Sequence, residues 1–347
     1  MKAVADPSEL WAPGKRFCLA IGVFDGVHLG HQTVLRKAAE AARAEGAEAA
    51  AVTFDRHPNE VTAPDRAPPM IQRLEERLAW IAAQGVEAAW VIPFDAAFSR
   101  LSGEAFVELL LRRFRRVQAV FVGERFLFGH RRSGSAALLR ELGRARGFAV
   151  EAVPAVRVDG RAVSSTLIRG RIRAGDLAEA ERLLGHCYCL GGRVVHGDRL
   201  GRRIGFPTAN LDPEKLALPP WGVYAAWARE GAEPKAPPEA ESEAWRKAAL
   251  HIGPRPTVEA ASAPPRLEAH LIGFRGNLYG RWLSVRPIVR LRGERSFDSL
   301  EALKAQIDQD VAQVERMLQD CRPGEPLMSR PSSETPKPLT REEEAHG

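Results

Sequence analysis

Residues 21–31 read IGVFDGVHLGH, Ile21 to His31, and they join an apolar run to an amphipathic one. Phe17 to Val23 has the apolar content of a buried strand, while Gln32 to Ala44 alternates apolar and charged residues with helical period. Strand, glycine-bearing turn and helix start therefore follow one another, as in α/β folds that bind nucleotides. A helix start leaves backbone N–H groups unpartnered and carries partial positive charge, so a triphosphate is a natural guest there. His28 and His31 flank Gly30 at that junction and add compact side-chain donors. Taken singly, a histidine is more often a surface or satisfied interior residue than a ligand.

At 347 residues the chain is long enough for two domains, each burying its own core. Fifty Lys and Arg against 44 Asp and Glu give a net charge of +6, which suits anionic ligands such as nucleotides. The excess is too diffuse to argue for nucleic acid, and arginines in helical segments such as Leu110 to Arg116 read equally as a solvated face. Cys18, Cys187, Cys189 and Cys321 lack the spacing of a disulfide scaffold or a zinc site, which fits reduced thiols in a cytoplasmic protein. Cys187 and Cys189 are expected on one face of a strand, packed in the core. No basic leader with a cleavage site stands at the start, and no apolar run approaches the roughly 20 residues of a membrane span. A soluble, unexported protein without a membrane partner is the expectation.

Beyond the first helix, Glu48 to Phe54, Val86 to Phe94, Val117 to Val122 and Ala149 to Val153 read as strands. Arg73 to Gln84, Gly103 to Phe114 and Ser135 to Arg146 read as the helices between them. That alternation predicts parallel βαβ units with helices on both faces, and such sheets bind ligands at the carboxyl ends of their strands. Two more stretches fall at those ends: FVGERFLFGH, Phe121 to His130, followed by a basic loop, and VSSTLIRG, Val163 to Gly170. Ser164 or Ser165 can cap a helix, with Thr166 and Arg169 one turn apart. Capping alone explains the serines; a phosphate fork at Arg169 explains them as well.

After Leu184 the texture changes to short β-leaning segments near Cys187 to Val195, Gly222 to Ala228, Ala248 to Ile252, Arg266 to Phe274 and Leu283 to Leu291. Divided by Gly and Pro, they predict a compact antiparallel barrel. Phe297 to Leu318 has helical period and is expected to close across it. Glu230 to Glu243 reads as a loop insertion. The expected divisions are 1–184, 185–321 and a polar, Pro-rich, disordered tail over 322–347.

With these motifs in order, the chain resembles the bifunctional bacterial riboflavin kinase/FMN adenylyltransferase family, also called FAD synthetase, over about residues 15–320. The first half carries GVFDGVHLGH, TFDRHP at Thr53 to Pro58, the FVGERFLFG loop and VSSTLIR. The second carries RRIGFPTANL at Arg202 to Leu211, GVYAAW, IGPRPTV, LEAHLIGF at Leu267 to Phe274, and LYG. The resemblance implies a nucleotidyltransferase-like α/β parallel-sheet domain followed by an antiparallel β-barrel riboflavin kinase domain.

For the first domain it implies transfer of AMP from ATP to FMN, giving FAD and pyrophosphate. His28 and His31 would hold the ATP phosphates and the charge developing on the α-phosphorus. Gly22, Phe24 and Gly30 would line the nucleotide, and Ser165, Thr166 and Arg169 would grip triphosphate and pyrophosphate. Phe54, Pro58, Phe126 and Phe128 would contact the flavin. For the second domain it implies phosphorylation of riboflavin by ATP with Mg²⁺. Thr208 and Asn210, two apart in an extended segment, point their oxygens one way and could share Mg²⁺ with ATP oxygens. Glu268 matches the family's base. Its strand face, shared with His270, could also simply be solvated. Gly197, Gly201 and Gly205 would let backbone approach the nucleotide phosphates.

Arg125 stands where the family usually has Asn or Asp. The nearest alternative is accordingly a riboflavin kinase whose first domain binds nucleotides or regulates the second. A rival of another class is a nucleic-acid-binding module, for which salt-sensitive RNA binding would be the sign. The sequence sets no oligomeric state.

Overall fold

A computed structural model describes residues 1–197, 200–213, 215–231, 245–254 and 265–325, with Pro234, Pro237 and Leu327 besides. The first half runs β1 (Lys2–Val4), β2 (Phe17–Ile21), α1 (Leu29–Glu45), β3 (Glu48–Phe54), α2 (Asn59–Thr62), α3 (Leu74–Ala83) and β4 (Ala88–Ile92). It continues through α4 (Gly103–Phe114), β5 (Val117–Gly123), a hairpin of β6 (Leu127–Phe128) and β7 (Gly134–Ser135), α5 (Ala136–Arg146) and β8 (Ala149–Val153). A second hairpin, β9 (Arg157–Val158) and β10 (Arg161–Ala162), leads into α6 (Ser165–Arg173) and α7 (Leu177–Leu184).

Strands β1, β4, β3, β2, β5 and β8 lie in that order in one sheet, with every pairing parallel. The order doubles back at β2, so crossover helices fall on both faces. Residues Val34, Leu35 and Ala38 of α1 cover one face. Phe106 and Leu110 of α4, with Leu139 of α5, cover the other. A central parallel strand must then be apolar on both sides, and β2 is buried along its whole length. The sequence did not point to β1, which adds three residues to an edge.

The second half runs β11 (Leu190–Val195), α8 (Leu200–Ile204), β12 (Ala209–Leu211), β13 (Gly222–Gly231), β14 (Arg246–Gly253), β15 (Arg266–Leu271), β16 (Trp282–Arg292) and α9 (Leu300–Met317). It forms a closed antiparallel barrel in the order β11, β12, β15, β14, β13, β16. In β15, Leu267, Ala269 and Leu271 face the barrel core, which places Glu268 and His270 on the outer face. Helix α9 lies against that outer face, packing Val314 and Leu318 on Ala225, Trp227 and Ile288. Arg292 adds a bidentate contact to Asp310 of the same helix, at 2.8 to 3.1 Å.

The strand expected from Cys187 begins only at Leu190. The three residues before it are held by side chains instead: Tyr188 N–H donates to Glu181 (3.0 Å), and its hydroxyl donates to Ala217 O. The insertion expected over 230–243 lies largely outside the described residues, as do 326 and 328–347 of the expected tail.

No apolar gap divides the halves. Ile71 and the inner faces of α6 and α7 share one core with Tyr188, Leu190 and Tyr224 of the barrel. A buried ion pair crosses the same junction, Arg286 of β16 meeting Glu181 of α7 at 2.7 and 2.9 Å.

Candidate active sites

The turn between β2 and α1 carries its conformation in two residues that are not glycine: Phe24 has φ +53° and Val27 has φ +32°. Such values cost energy and persist where surrounding groups fix them. Here they are fixed from several directions. Thr53 Oγ1 and Arg77 Nη1 both donate to Val23 O (3.1 Å each), Ser165 Oγ donates to Asp25 O (2.9 Å), and Gln32 Nε2 donates to Val27 O (3.0 Å).

His28 caps α1: its Nδ1 accepts from the His31 N–H at 3.3 Å, and the two rings stack with centroids 3.6 Å apart. A ring nitrogen that accepts carries no proton, so neutral His28 keeps its proton on Nε2, ready to donate. Gly30 allows this stack, since a Cβ there would stand 3.2 Å from His28 Cε1. Gly22 abuts the Phe24 ring, which meets the His31 ring edge-on at 5.4 Å. Burial pushes the His28 imidazole down to about 3, helped by positive charge at His186 and Arg169. Burial likewise pushes His31 well down, and its Nδ1 is enclosed without a partner. Both rings are therefore neutral near pH 7.

Helix α6 starts against this turn. Ser164 is the cap, accepting from Leu167 N–H, whereas Ser165 spends its hydroxyl on Asp25 O and Thr166 is exposed. Arg169 is given a second duty: it is buried, with Nη2 on Asp25 Oδ2 (2.6 Å) and Nε on Pro69 O (2.7 Å). Asp25 in turn accepts from the N–H groups of Ile71 (2.9 Å) and Gln72 (3.3 Å). What remains of Arg169 for a phosphate is the rest of its guanidinium edge.

Of the residues expected at the flavin, Phe54 and Phe128 sit inside the core, each 8% exposed. Phe54 packs edge-on to Phe94 and Phe98, and Phe128 packs against Phe106. Both rings thus join one aromatic chain in the core, which local periodicity did not reveal. Phe126, stacked on Phe128 at 5.3 Å, and Pro58, which precedes α2, are only half-buried. The Arg125 side chain is 70% exposed and lies beside Glu124.

In the barrel, Asn210 of β12 stands directly opposite Glu268 of β15. Thr208 Oγ1 donates to Glu268 Oε2 (3.3 Å), and Arg266 donates to Oε1 (2.8 Å). Thr208, Asn210 and Glu268 thus converge on one spot of the outer face. His251 is Glu268's partner on the other side and pairs with Glu294 at 2.8 Å. His270 Nδ1 lies 2.8 Å from Pro207 O. Gly197 abuts the Asn210 amide so closely that a Cβ would come within 2.5 Å. Gly201 lies in α8, and Gly205 follows that helix with φ +97°.

Family models agree with this two-site layout. FAD synthetase matches residues 13–167 and riboflavin kinase matches 184–318. Curated relatives called bifunctional riboflavin kinase/FMN adenylyltransferase align along most of the chain. The Escherichia coli K12 relative is 38% identical over 299 residues, covering 86% of this chain and 92% of that one. The Pseudomonas fluorescens relative is 39% identical over 301 residues, covering 86% and 93%. The Bacillus subtilis relative is 33% identical over 309 residues, covering 88% and 93%. The chain belongs to the bifunctional riboflavin kinase/FMN adenylyltransferase family.

A solved structure described as a macrolide-efflux protein from Streptococcus pneumoniae shares the fold of this family member, with TM-score 0.71 and 27% identity over 90% of this chain and 98% of that one. Among the described residues no helix is long and apolar enough to cross a membrane. Four residues of this bifunctional-family chain escaped the sequence reading: Asp25, Arg77, Arg266 and His186. The signal for Asp25 was present, because a carboxylate inside an otherwise apolar motif needs a cation. Arg77, fully buried and donating to Val23 O and Phe54 O, left no such trace in a helical pattern.

Proposed function

We propose that the barrel phosphorylates riboflavin with ATP to give FMN, and that the sheet domain then joins FMN to AMP from a second ATP, releasing pyrophosphate as FAD forms. The observation that carries the reading is that each half of one family member gathers its own motif residues at its own point: His28 and His31 with the α6 start, and Thr208 and Asn210 with Glu268.

In the barrel, Glu268 takes the proton of the ribityl hydroxyl as its oxygen attacks the γ-phosphorus and ADP leaves. Arg266 holds that carboxylate in place until the proton arrives. Oxygen donors at Thr208 and Asn210 fit Mg²⁺, which takes few protein ligands and completes its shell with water and phosphate. Among the described residues no group of three or more His, Cys, Asp or Glu forms an all-protein metal cage, which suits a metal delivered with nucleotide. Bound there, Mg²⁺ would neutralise charge on the β- and γ-phosphates.

In the sheet domain the FMN phosphate oxygen attacks the α-phosphorus. His28 donates from Nε2 and His31 stands beside it, so that charge growing on the phosphate meets proton donors in a dry site. Ser165 and Arg169 serve mainly by fixing the loop that presents both rings. Cys18, Cys187, Cys189 and Cys321 form no disulfide among the described residues, which supports a cytoplasmic setting for both reactions.

The test is one incubation of the full chain with riboflavin, ATP and Mg²⁺, separating FMN from FAD. Glu268→Gln is expected to lower FMN formation by about 10²- to 10⁴-fold while FMN-to-FAD conversion continues. His31→Ala is expected to do the reverse. A folded variant of either kind that stops both reactions refutes the division of labour, and FMN without any FAD from the unaltered chain supports the kinase-only alternative.

A further inference from the structure

His186 follows α7 directly and reaches back into the first half of the chain. Its Nε2 lies 2.9 Å from Gly26 O, and its Nδ1 lies 2.9 Å from Cys187 O. Both partners are carbonyl oxygens, which only accept. A neutral imidazole has one N–H and one lone-pair nitrogen, so it can satisfy one of these contacts and must face the other lone pair to lone pair. The imidazolium satisfies both. A second observation points the same way: the ring lies flat on Trp80, with centroids 4.0 Å apart and planes at 18°, the arrangement in which an indole face attracts a cation.

We propose that His186 is a positioning residue for adenylyl transfer, acting as an imidazolium that clamps Gly26 and so fixes the strained turn carrying His28 and His31. This rests on the reading of the sheet domain as the adenylyltransferase. Gly26 lies between the two strained residues Phe24 and Val27. Its carbonyl is anchored from the domain junction, so a contact belonging to neither motif holds the phosphate turn.

The charged groups around the ring are already engaged. On the turn, Asp25 is held by Ile71, Gln72 and Arg169. On α3, Glu76 accepts from Arg73 N–H, and Arg77 donates to Val23 O and Phe54 O. On α7, Glu181 is taken by Arg286 and Tyr188 N–H. On α1, Gln32 is neutral and bonds Val27 O and Leu184 O. Two titratable neighbours remain. One is His28, whose lowered basicity owes its second-largest part to charge at His186. The other is Glu76, whose second carboxylate oxygen is unpartnered and whose acid group burial raises to about 7, so the pH series is repeated in Glu76→Gln to remove its contribution. Deprotonation of His186 then costs one of its two contacts, and release of Gly26 relaxes the turn.

The experiment follows FMN-to-FAD conversion by the full chain as a function of pH, between about 5.5 and 9, for the unaltered chain and His186→Gln. Glutamine offers one amide donor and does not titrate in this range. The unaltered chain should lose kcat on an alkaline limb that the variant lacks. At low pH the variant should run about ten- to a hundredfold slower, the worth of one lost charge-assisted hydrogen bond. FMN formation in the same samples should not change. Histidine ¹⁵N NMR of the unaltered chain gives a reading that does not depend on the variant folding: both His186 ring nitrogens should carry protons where FAD synthesis is fastest. Superimposable pH profiles, or a neutral His186 tautomer at that pH, would overturn the proposal. No FAD from the unaltered chain at any pH would instead sink the adenylyltransferase reading itself.

Discussion

Replacing Asp25 with asparagine removes a charge where only 2% of the side chain meets water, and its partner Arg169 is 7% exposed. The oxygen that receives Arg169 Nη2 at 2.6 Å becomes either an amide N–H facing another donor or a neutral oxygen of weaker pull. Removing one partner of a buried ion pair strands the other charge and costs about 3–5 kcal/mol. The backbone N–H groups of Ile71 and Gln72 keep at most one good acceptor, so no compensation comes from them. A cost of this size exceeds the roughly 1 kcal/mol that each remaining hydrogen bond of the turn contributes. The turn and residues 69–73 should therefore open locally before the fold is lost. If the closed turn is the competent state, 3 kcal/mol translates to a rate about 10²-fold lower. The assay is FAD formation from FMN and ATP in the full chain, with FMN formation and a denaturation midpoint read on the same protein. Asp25→Asn with an adenylyl rate within about threefold of normal and an unshifted midpoint would refute the reasoning. A double variant that also replaces Arg169 with methionine should recover stability, since two neutral groups leave no stranded charge, but should not recover FAD synthesis.

Glu76 is enclosed beneath Gly191 of the barrel, with one carboxylate oxygen unpartnered, and burial pushes its acid group up to about 7 from 4.5. The folded chain therefore holds this proton more tightly than the unfolded chain. Its contribution is complete below pH 4.5 and is lost as pH rises towards 7, by about 3 kcal/mol in all from a shift of about 2.5 units. Glu76→Gln should flatten the stability profile across that window and raise the denaturation midpoint at pH 8; an unchanged slope would count against a protonated Glu76. His28 shifts the other way. Its folded basicity is lowered to about 3, so the ring is neutral near pH 7. ATP phosphates should raise that basicity by about 1–3 units, so proton uptake on binding should be measurable by calorimetry at about pH 5 in two buffers of different ionisation enthalpy, and should shrink in His28→Gln. Binding without proton uptake would show that the imidazoles stay neutral against phosphate.

Much of the sheet domain was legible because its signals are local. Apolar runs of strand length, helices of period 3.6 and glycines at the turns repeat along residues 17–153, and α4 falls on the stretch that its periodicity marked. The barrel was legible as a texture, yet its short elements α8 and β12, like the sheet's edge strand β1, were not. They form because neighbours pair with them or enclose them, not because their own composition insists.

The same distinction holds at the sites. The motif order drew His28 and His31 together at one turn, and the two-residue spacing of Thr208 and Asn210 put both on one face. It did not tell that Arg169 is tied to Asp25, that Phe54 and Phe128 are core, or that His186 holds Gly26.

Sequence alone determined the strand-turn-helix junction at Ile21 to His31, the change from alternating to β-rich texture near Gly185, and the residue types proposed to handle phosphate. Tertiary structure alone decided how that junction is held, through Asp25 with Ile71, Arg169 and the ring of His186, and that the two halves share a core around Ile71, Leu184 and Tyr188. The reason is range: backbone preference and amphipathic period act over a few residues, whereas a buried charge or a strained turn is satisfied by groups 46 to 160 positions away, whose arrival only the finished fold arranges.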